Sequence, residues 1–331
     1  MDNGLPRLIL AAILAAALLA LPALVEAAGR GYWTGIATHV LIFALAAGSL
    51  NLILGFGGMV SFGHAAFLGT GAYVVGILSH HASMGIPIAT WPFAIAGTES
   101  ALIAWPLAML AAGALAFVIG LISLRTGGLY FIMITLAFAQ MVYFFFVSLE
   151  PYGGDDGLSM WSRSRLPGLD LGSDTQFYYV VLALVALAYF LKSRVIHSRF
   201  GVVLRGSRDN DRRMRAIGHP TRRYRLAAFT LAGAVAGLAG ALIANQTEFV
   251  SPAFLHWTRS GEMLVMVILG GIGTVLGPAL GATAFLLLEE VFSGWTEHWM
   301  IVLGPLLLAV VLFAKRGLWG LVSRPGEVPR D

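Results

Sequence analysis

The chain has 331 residues, of which 58% are hydrophobic and only 11% are charged. A soluble protein of this length carries about 25% charged residues, so the composition excludes an ordinary soluble domain and indicates a membrane protein. The formal net charge is +4, but more than half of the basic residues fall in one segment, so no nucleic-acid partner is expected.

Apolar runs of the length that a bilayer crossing needs, about 17–25 residues, recur along the chain. They cover residues 8–25, 36–54, 101–122, 129–149, 226–247 and 276–293. Shorter or glycine-rich stretches at 59–79, 177–191, 262–275 and 299–314 complete the set. Since such segments must satisfy their own backbone hydrogen bonds in lipid, we predict an all-α polytopic membrane protein with about ten transmembrane helices. Residues 1–331 then form a single transmembrane domain.

The first run also has features of a secretory signal peptide, because Arg7 precedes it and small residues follow Val25. We expect a retained helix instead, since an apolar run of about 18 residues is long for the core of a signal peptide.

The charges predict the topology. Residues 192–225 hold eleven Lys and Arg against two Asp, a net charge of +9, and residues 150–176 hold five acids against two Arg, a net charge of −3. Because loops rich in Lys and Arg stay in the cytoplasm, 192–225 is predicted to be a cytoplasmic loop and 150–176 an extracytoplasmic loop. Alternation then places both termini in the cytoplasm. The basic loop either marks topology alone or also docks a partner.

Glycines cluster at two places where helices are expected to break, near residues 55–64 and 270–278. The residues concerned are Gly57, Gly58, Gly63, Gly270, Gly271, Gly273 and Pro278. Broken helices at membrane depth occur where they face protein or a wet cavity.

Few polar residues lie inside the predicted spans. The candidates for a tentative substrate path are Asn51, Ser61, His64, Thr135 and Gln140. Polar groups in lipid usually face the protein interior, so an interhelical hydrogen bond is the main alternative for Asn51 and Gln140, and a structural role is the alternative for His64. The first six spans contain no acid at mid-membrane, which disfavours proton coupling.

The residues that precede the chain's two lysines exclude a nucleotide-hydrolysing P-loop. A phosphate-binding P-loop needs a Lys after Gly, whereas Lys192 and Lys315 follow Leu and Ala. Scattered histidines and the lack of cysteine predict no metal site, and no nucleophile–base pair indicates an enzyme.

Several segments resemble, in order, the LivM-type permeases, which are membrane subunits of the branched-chain amino acid class of ABC importers. The main motif is Leu50-Asn51-Leu52-Ile53-Leu54-Gly55-Phe56-Gly57-Gly58, followed by Ser61-Phe62-Gly63-His64-Ala65-Ala66-Phe67. Shorter matches are Gly153–Leu158, Ser198–Gly201, Arg208–Asp211, Ala216–Gly218 and Leu269–Thr274 with Gly277–Pro278.

The resemblance implies a heteromeric importer in a bacterial inner membrane. A second, related permease would pair with this chain, a periplasmic binding protein would deliver substrate, and two ATPase subunits would hold ATP and Mg, with no cofactor on this chain. It also implies that residues 207–218 form a coupling helix that contacts an ATPase. The residues concerned are Arg208, Asp209, Asp211, Ala216, Ile217 and Gly218.

The implied cargo is a branched-chain amino acid or a related solute such as another amino acid, an amide, urea or an aromatic acid. The competing interpretations are a stand-alone secondary transporter or channel for a small polar solute, a membrane enzyme and a structural scaffold.

Overall fold

The computed structural model describes residues 4–27, 29–87, 96–295, 301, 304–305 and 317–322. The helices are α1 (Gly4–Ala27), α2 (Tyr32–Leu54), α3 (His64–Met84), α4 (Ala101–Ser123), α5 (Leu129–Val147), α6 (Asp174–His197), α7 (Arg199–Ala216), α8 (Thr221–Thr247), α9 (Trp257–Gly270), α10 (Gly277–Ser293) and α11 (Trp319–Val322). Two short strands, β1 (Leu158–Ser159) and β2 (Phe249–Val250), pair antiparallel.

The protein is therefore mostly helical, as the composition predicts. Among the described residues, α2, α4, α5, α6 and α8 are long and apolar enough to cross a membrane. A helix accompanies each of the first nine predicted spans, while the tenth, 299–314, lies for the most part outside the described residues. The count of ten spans and the cytoplasmic position of both termini stay predictions.

The predicted basic loop, 192–225, is largely helical. Its first residues complete α6, α7 fills its centre, and α8 begins at Thr221. Arg is a good helix former, and Gly201, Val203, Leu204 and Ser207 give α7 one buried face, so this segment is an amphipathic helix rather than a loop. We refer to residues 192–225 as the basic segment.

The core forms around α8, which packs against α2, α3 and α4. Small residues allow this close approach: a Cβ at Gly233 or Gly237 would overlap the alanines of α4, and a Cβ at Gly240 would overlap the Leu68 carbonyl of α3. In lipid, such backbone proximity supplies the packing energy between helices.

Segments that are predicted to lie on the same side of the membrane contact each other. At one end, which we call the acidic end, Leu158 pairs with Val250 and Arg165 N–H donates to the Glu99 carbonyl at 2.6 Å. At the opposite, basic end, the Arg222 guanidinium donates to the Leu121 carbonyl at 3.0 Å. Each of these three contacts joins segments that the charge pattern places on the same side of the membrane, and which side that is stays a prediction.

Candidate functional site

The first helix break comprises Gly55–Gly63, between α2 and α3. Beyond Leu54 the backbone continues in a tight turn, in which the Gly58 N–H donates to the Leu54 carbonyl at 3.1 Å. Gly58 has φ +66°, a left-handed conformation that glycine adopts without the penalty that a Cβ would bring. The break therefore needs glycine at this position.

Helix α3 begins inside the bundle. Ala65 N–H donates to the Ser260 hydroxyl of α9 at 2.8 Å, and Phe62 N–H donates to the Thr135 hydroxyl of α5 at 3.3 Å. Thr135 is six residues into α5, about 9 Å from its first residue at 1.5 Å per residue. Side chains of neighbouring helices thus satisfy backbone donors that a helix start leaves unpaired and that lipid cannot satisfy.

His64, the first residue of α3, is fully buried and lies 2.7 Å from Ser49 Oγ through its Nε2. The Ser49 hydroxyl already donates its single proton to the Ala46 carbonyl at 2.7 Å. With that proton used, the Nε2–H of His64 would donate to Ser49 Oγ. Its Nδ1 is a buried acceptor with no partner among the described residues.

The second helix break comprises Gly271–Leu276, between α9 and α10. Gly271 and Gly273 have φ +119° and +75°, and Gly270 packs against the Gly277 carbonyl with no space for a Cβ. Pro278 falls in the first turn of α10, where its missing N–H leaves no helical hydrogen bond unmade.

Asn51 joins the two breaks. Its fully buried side chain donates through Nδ2 to the Thr274 carbonyl at 2.6 Å and accepts from the Gly273 N–H at 3.0 Å. A Cβ at Gly55 would overlap both Asn51 and the Gly273 backbone, so the breaks are in direct contact. We call this contact the break junction.

Lys192 also binds the break junction, from α6. Its ammonium donates to the Val275 carbonyl at 2.8 Å and lies 4.0 Å from the centre of the Tyr189 ring. The Tyr189 hydroxyl in turn donates to the Ala44 carbonyl of α2 at 2.8 Å. Sequence reasoning used Lys192 only as one of the positive charges that mark the cytoplasmic side of the membrane. The available signal was its position at the end of an apolar span in a chain with two lysines.

Arg208 connects α7 to the break junction. Its guanidinium donates to the Gly55 carbonyl at 2.7 Å, and its aliphatic part occupies the space that a Cβ at Gly58 would need. The same guanidinium contacts Asp209 at 3.3 Å. Arg208 is therefore directed into the protein, whereas the side chain of Asp209 is exposed.

Beyond Arg208, the basic segment turns and is fixed to α8. Asn210 interrupts α7 with non-helical backbone angles. Asp211 pairs with Arg215 at 2.6 Å and with Arg225 of α8 at 3.7 Å. Ala216, Ile217 and Gly218 then form an exposed turn, which we call the tip. Ile217 is 64% exposed, so the tip presents an apolar side chain among arginines.

A cleft of about 380 Å³ opens at the acidic end. Asp155, Tyr143, His256, Arg259 and Glu262 are among its lining residues. The guanidinium of Arg259 pairs with the carboxylate of Glu262 at 2.7 Å, so both signs of charge face the cleft. Sequence reasoning missed this ion pair because both residues precede the apolar core of α9.

One helix connects this cleft to the first break. Ser260, which accepts from the Ala65 N–H, follows Arg259 directly in α9. Movement of α9 would therefore act on the start of α3 and on the cleft together. Of the tentative substrate-path residues, Ser61, His64 and Thr135 lie at the first break and Asn51 at the break junction. Gln140 is half-buried on α5 and makes no side-chain hydrogen bond to another described residue.

Comparison with known proteins gives a consistent assignment. The profile of a family described as branched-chain amino acid transport system / permease component matches residues 32–311. The high-affinity branched-chain amino acid transport system permease proteins LivM of Escherichia coli K12 and Salmonella typhimurium are 30% and 28% identical to the chain, each over 86% of this chain and 69% of the relative. LivH of Escherichia coli K12, a permease protein of the same kind of system, is 26% identical over 42% of this chain and 44% of its own length.

No solved structure significantly matches the chain. The family profile covers most of the chain, from α2 into the region beyond α10. The chain therefore belongs to the family of branched-chain amino acid transport system permease components, and it is a transport subunit rather than an enzyme.

Proposed function

We propose that this chain is one permease subunit of an ATP-driven importer in a bacterial inner membrane. It forms half of the translocation path for branched-chain or related amino acids and pairs with a second, related permease. Two ATPase subunits, which bind ATP and Mg, dock on the basic end, and a periplasmic binding protein delivers substrate at the acidic end. The LivM and LivH relatives support the pairing of two permeases.

The Arg208–Gly55 hydrogen bond is the observation that carries the coupling part of this proposal. At 2.7 Å it joins the helix that bears the exposed tip to the contact between the two helix breaks. A hydrogen bond from a charged donor is stronger than one between neutral groups. Asn210 interrupts α7 between Arg208 and the tip, so a push on the tip reaches Arg208 through this kink. From Arg208 it acts on the first break, and through Asn51 on the second.

The cleft supports an amino acid cargo. A free amino acid is a zwitterion, and Arg259, Glu262 and Asp155 offer partners for its carboxylate and its ammonium group. Tyr143 and His256, whose rings are 5.4 Å apart, add an aromatic wall for a side chain. Since Arg259 and Glu262 pair with each other, substrate must compete with that pair, which suits a passage of low affinity.

The coupling role is tested with the complete complex in proteoliposomes. ATPase activity stimulated by the loaded binding protein is measured for the wild type, for Arg208→Gln and for a matched control, Arg199→Gln. Arg199 begins the same helix, is exposed and makes no ion pair or side-chain hydrogen bond among the described residues. We expect Arg208→Gln to assemble but lose most of the stimulation, and the control to keep it. Equal stimulation in all three complexes would contradict the proposed route.

A further inference from the structure

A cavity at the basic end is lined by arginines and is not used by the transport mechanism above. Its volume is about 660 Å³, and it lies between the end of α4 and the start of α8. The lining residues are Leu121, Arg125, Arg215, Pro220, Thr221, Arg222, Arg223 and Leu226. Four of the eight are arginines and none is acidic.

Two of these arginines have no ion-pair or hydrogen-bond partner among the described residues. Arg215 pairs with Asp211 at 2.6 Å, and Arg222 donates to the Leu121 carbonyl at 3.0 Å. Arg125 and Arg223 are exposed and make no ion pair or side-chain hydrogen bond within the part of the chain that the structure describes. The cavity therefore combines excess positive charge with unused donors, which fits an anion with several acceptor oxygens, such as a phosphate group.

The cavity opens beside an apolar surface. Phe117, Val118, Leu121 and Ile122, on the last two turns of α4, are 38–53% exposed. This helix is among those apolar enough to cross a membrane. Just after the turn that follows α4, Tyr130 is 73% exposed, and exposed tyrosines are common where a span meets the membrane interface. An apolar exposed face that ends beside an exposed tyrosine is typical of a lipid-facing helix near the headgroup level.

We propose that this cavity binds the headgroup of an anionic phospholipid. The phosphate lies among Arg125, Arg222 and Arg223, and the acyl chains run along the exposed face of α4. Basic pockets between helices on the cytoplasmic side of a membrane recognise such headgroups. A soluble phosphate would use the arginines alone and leave the apolar face of α4 without a role.

The location gives the lipid a way to influence the tip. Arg215 lines the cavity and lies on the last turn of α7, next to Ala216. Its guanidinium also contacts the Thr221 hydroxyl at the start of α8, at 3.2 Å. A lipid phosphate in the cavity would therefore lie beside a side chain that joins the last turn of α7 to the start of α8. This binding requires only that the basic end meets the membrane, so it does not depend on the chain's being part of an ATP-driven importer.

The test is a lipid titration of the purified complex in detergent, followed by native mass spectrometry. The probes are phosphatidylglycerol, cardiolipin and phosphatidylcholine, and inorganic phosphate is the soluble competitor. The variant is Arg125→Gln/Arg223→Gln. The matched control is Arg194→Gln/Arg199→Gln, which removes two exposed charges of the basic segment outside the cavity. A third variant, Arg125→Lys/Arg223→Lys, keeps the charge and reports whether loss of binding reflects unfolding.

We expect both anionic lipids to bind more tightly than phosphatidylcholine. Each arginine near an anionic lipid contributes about fivefold in affinity, so the double Gln variant should lose about 25-fold, while the control and the Lys variant stay within a few-fold of the wild type. Equal binding of phosphatidylcholine, unchanged affinity in the double Gln variant, or binding of inorganic phosphate as tight as that of the lipids would overturn the proposal.

Discussion

Replacement of Asn51 by alanine removes the side chain that joins the two helix breaks. Two hydrogen bonds are lost, to the Thr274 carbonyl at 2.6 Å and from the Gly273 N–H at 3.0 Å. Both backbone groups then lack this partner in a site where Asn51 is fully buried. We therefore expect the folded protein to lose stability and the break junction to loosen.

The magnitude follows from those two bonds. A buried group left unpaired costs about 1–3 kcal/mol in soluble proteins, whereas hydrogen bonds between membrane helices average about 0.6 kcal/mol. Two bonds then correspond to about 1 kcal/mol on the membrane value and to about 2–6 kcal/mol on the value for unpaired buried groups. At about 2–4 °C per kcal/mol, the value for a domain of 150–250 residues, even the smaller loss should lower the unfolding midpoint by about 2–4 °C.

The assay is thermal unfolding of the purified complex in detergent, with binding-protein-stimulated ATPase measured in parallel. Gln140→Ala is the matched control, because Gln140 is a half-buried amide without a side-chain hydrogen bond among the described residues, and we expect a change within about 0.5 kcal/mol. Asn51→Asp keeps the acceptor for Gly273 but directs a carboxylate at the Thr274 carbonyl, so it should be at least as unstable as Asn51→Ala. If the unfolding midpoint of Asn51→Ala equals that of Gln140→Ala, the Asn51 side chain does not hold the break junction together.

Three further predictions concern other contacts. Lys192→Met should keep the apolar stem but remove the donor to the Val275 carbonyl. We expect both the unfolding midpoint and the stimulated ATPase activity to fall. An unfolding midpoint equal to that of the wild type would contradict the role given to the ammonium. Ile217→Asp should leave the chain's own stability unchanged because the side chain is 64% exposed, yet reduce retention of the ATPases on affinity purification; full retention would argue against docking at the tip. Arg259→Gln should reduce uptake while the ATPases stay bound, and undiminished uptake would remove the cleft from the path.

The apolar runs predicted the helices well because length and hydropathy are local properties. The end of α6 was harder to predict: the sequence suggested 177–191, whereas the helix runs from Asp174 to His197. On those bounds, Lys192 and Arg194 lie beyond the predicted span. In the structure the ammonium of Lys192 finds the Val275 carbonyl, so a basic residue is accommodated within the helix.

Glycine patterns predicted where helices break but not how the breaks meet. The partners Asn51 and Thr274 are separated by 223 positions, and no local pattern encodes such a contact. The resemblance assigned Arg208 to an ATPase contact, whereas its guanidinium lies on the Gly55 carbonyl. The role of Arg208 as a contact to the ATPase therefore stays a prediction, and Ile217 at the tip is the more accessible candidate.

The acidic-end cleft escaped prediction for a related reason. Arg259 and Glu262 are three residues apart on one helix, a spacing that usually indicates a surface pair. Only the packing of Tyr143 and Asp155 from distant parts of the chain makes the pair face a cavity.

The most direct test of the central claim is uptake of radiolabelled leucine into proteoliposomes. The complete complex, with ATP available to its ATPases and the binding protein at the other face, is compared with this chain and its partner permease alone. We predict ATP-dependent uptake by the complete complex and none by the permeases alone under an ion gradient. Uptake by the permeases alone, at a rate that ATPases do not change, would contradict the account and favour a secondary transporter.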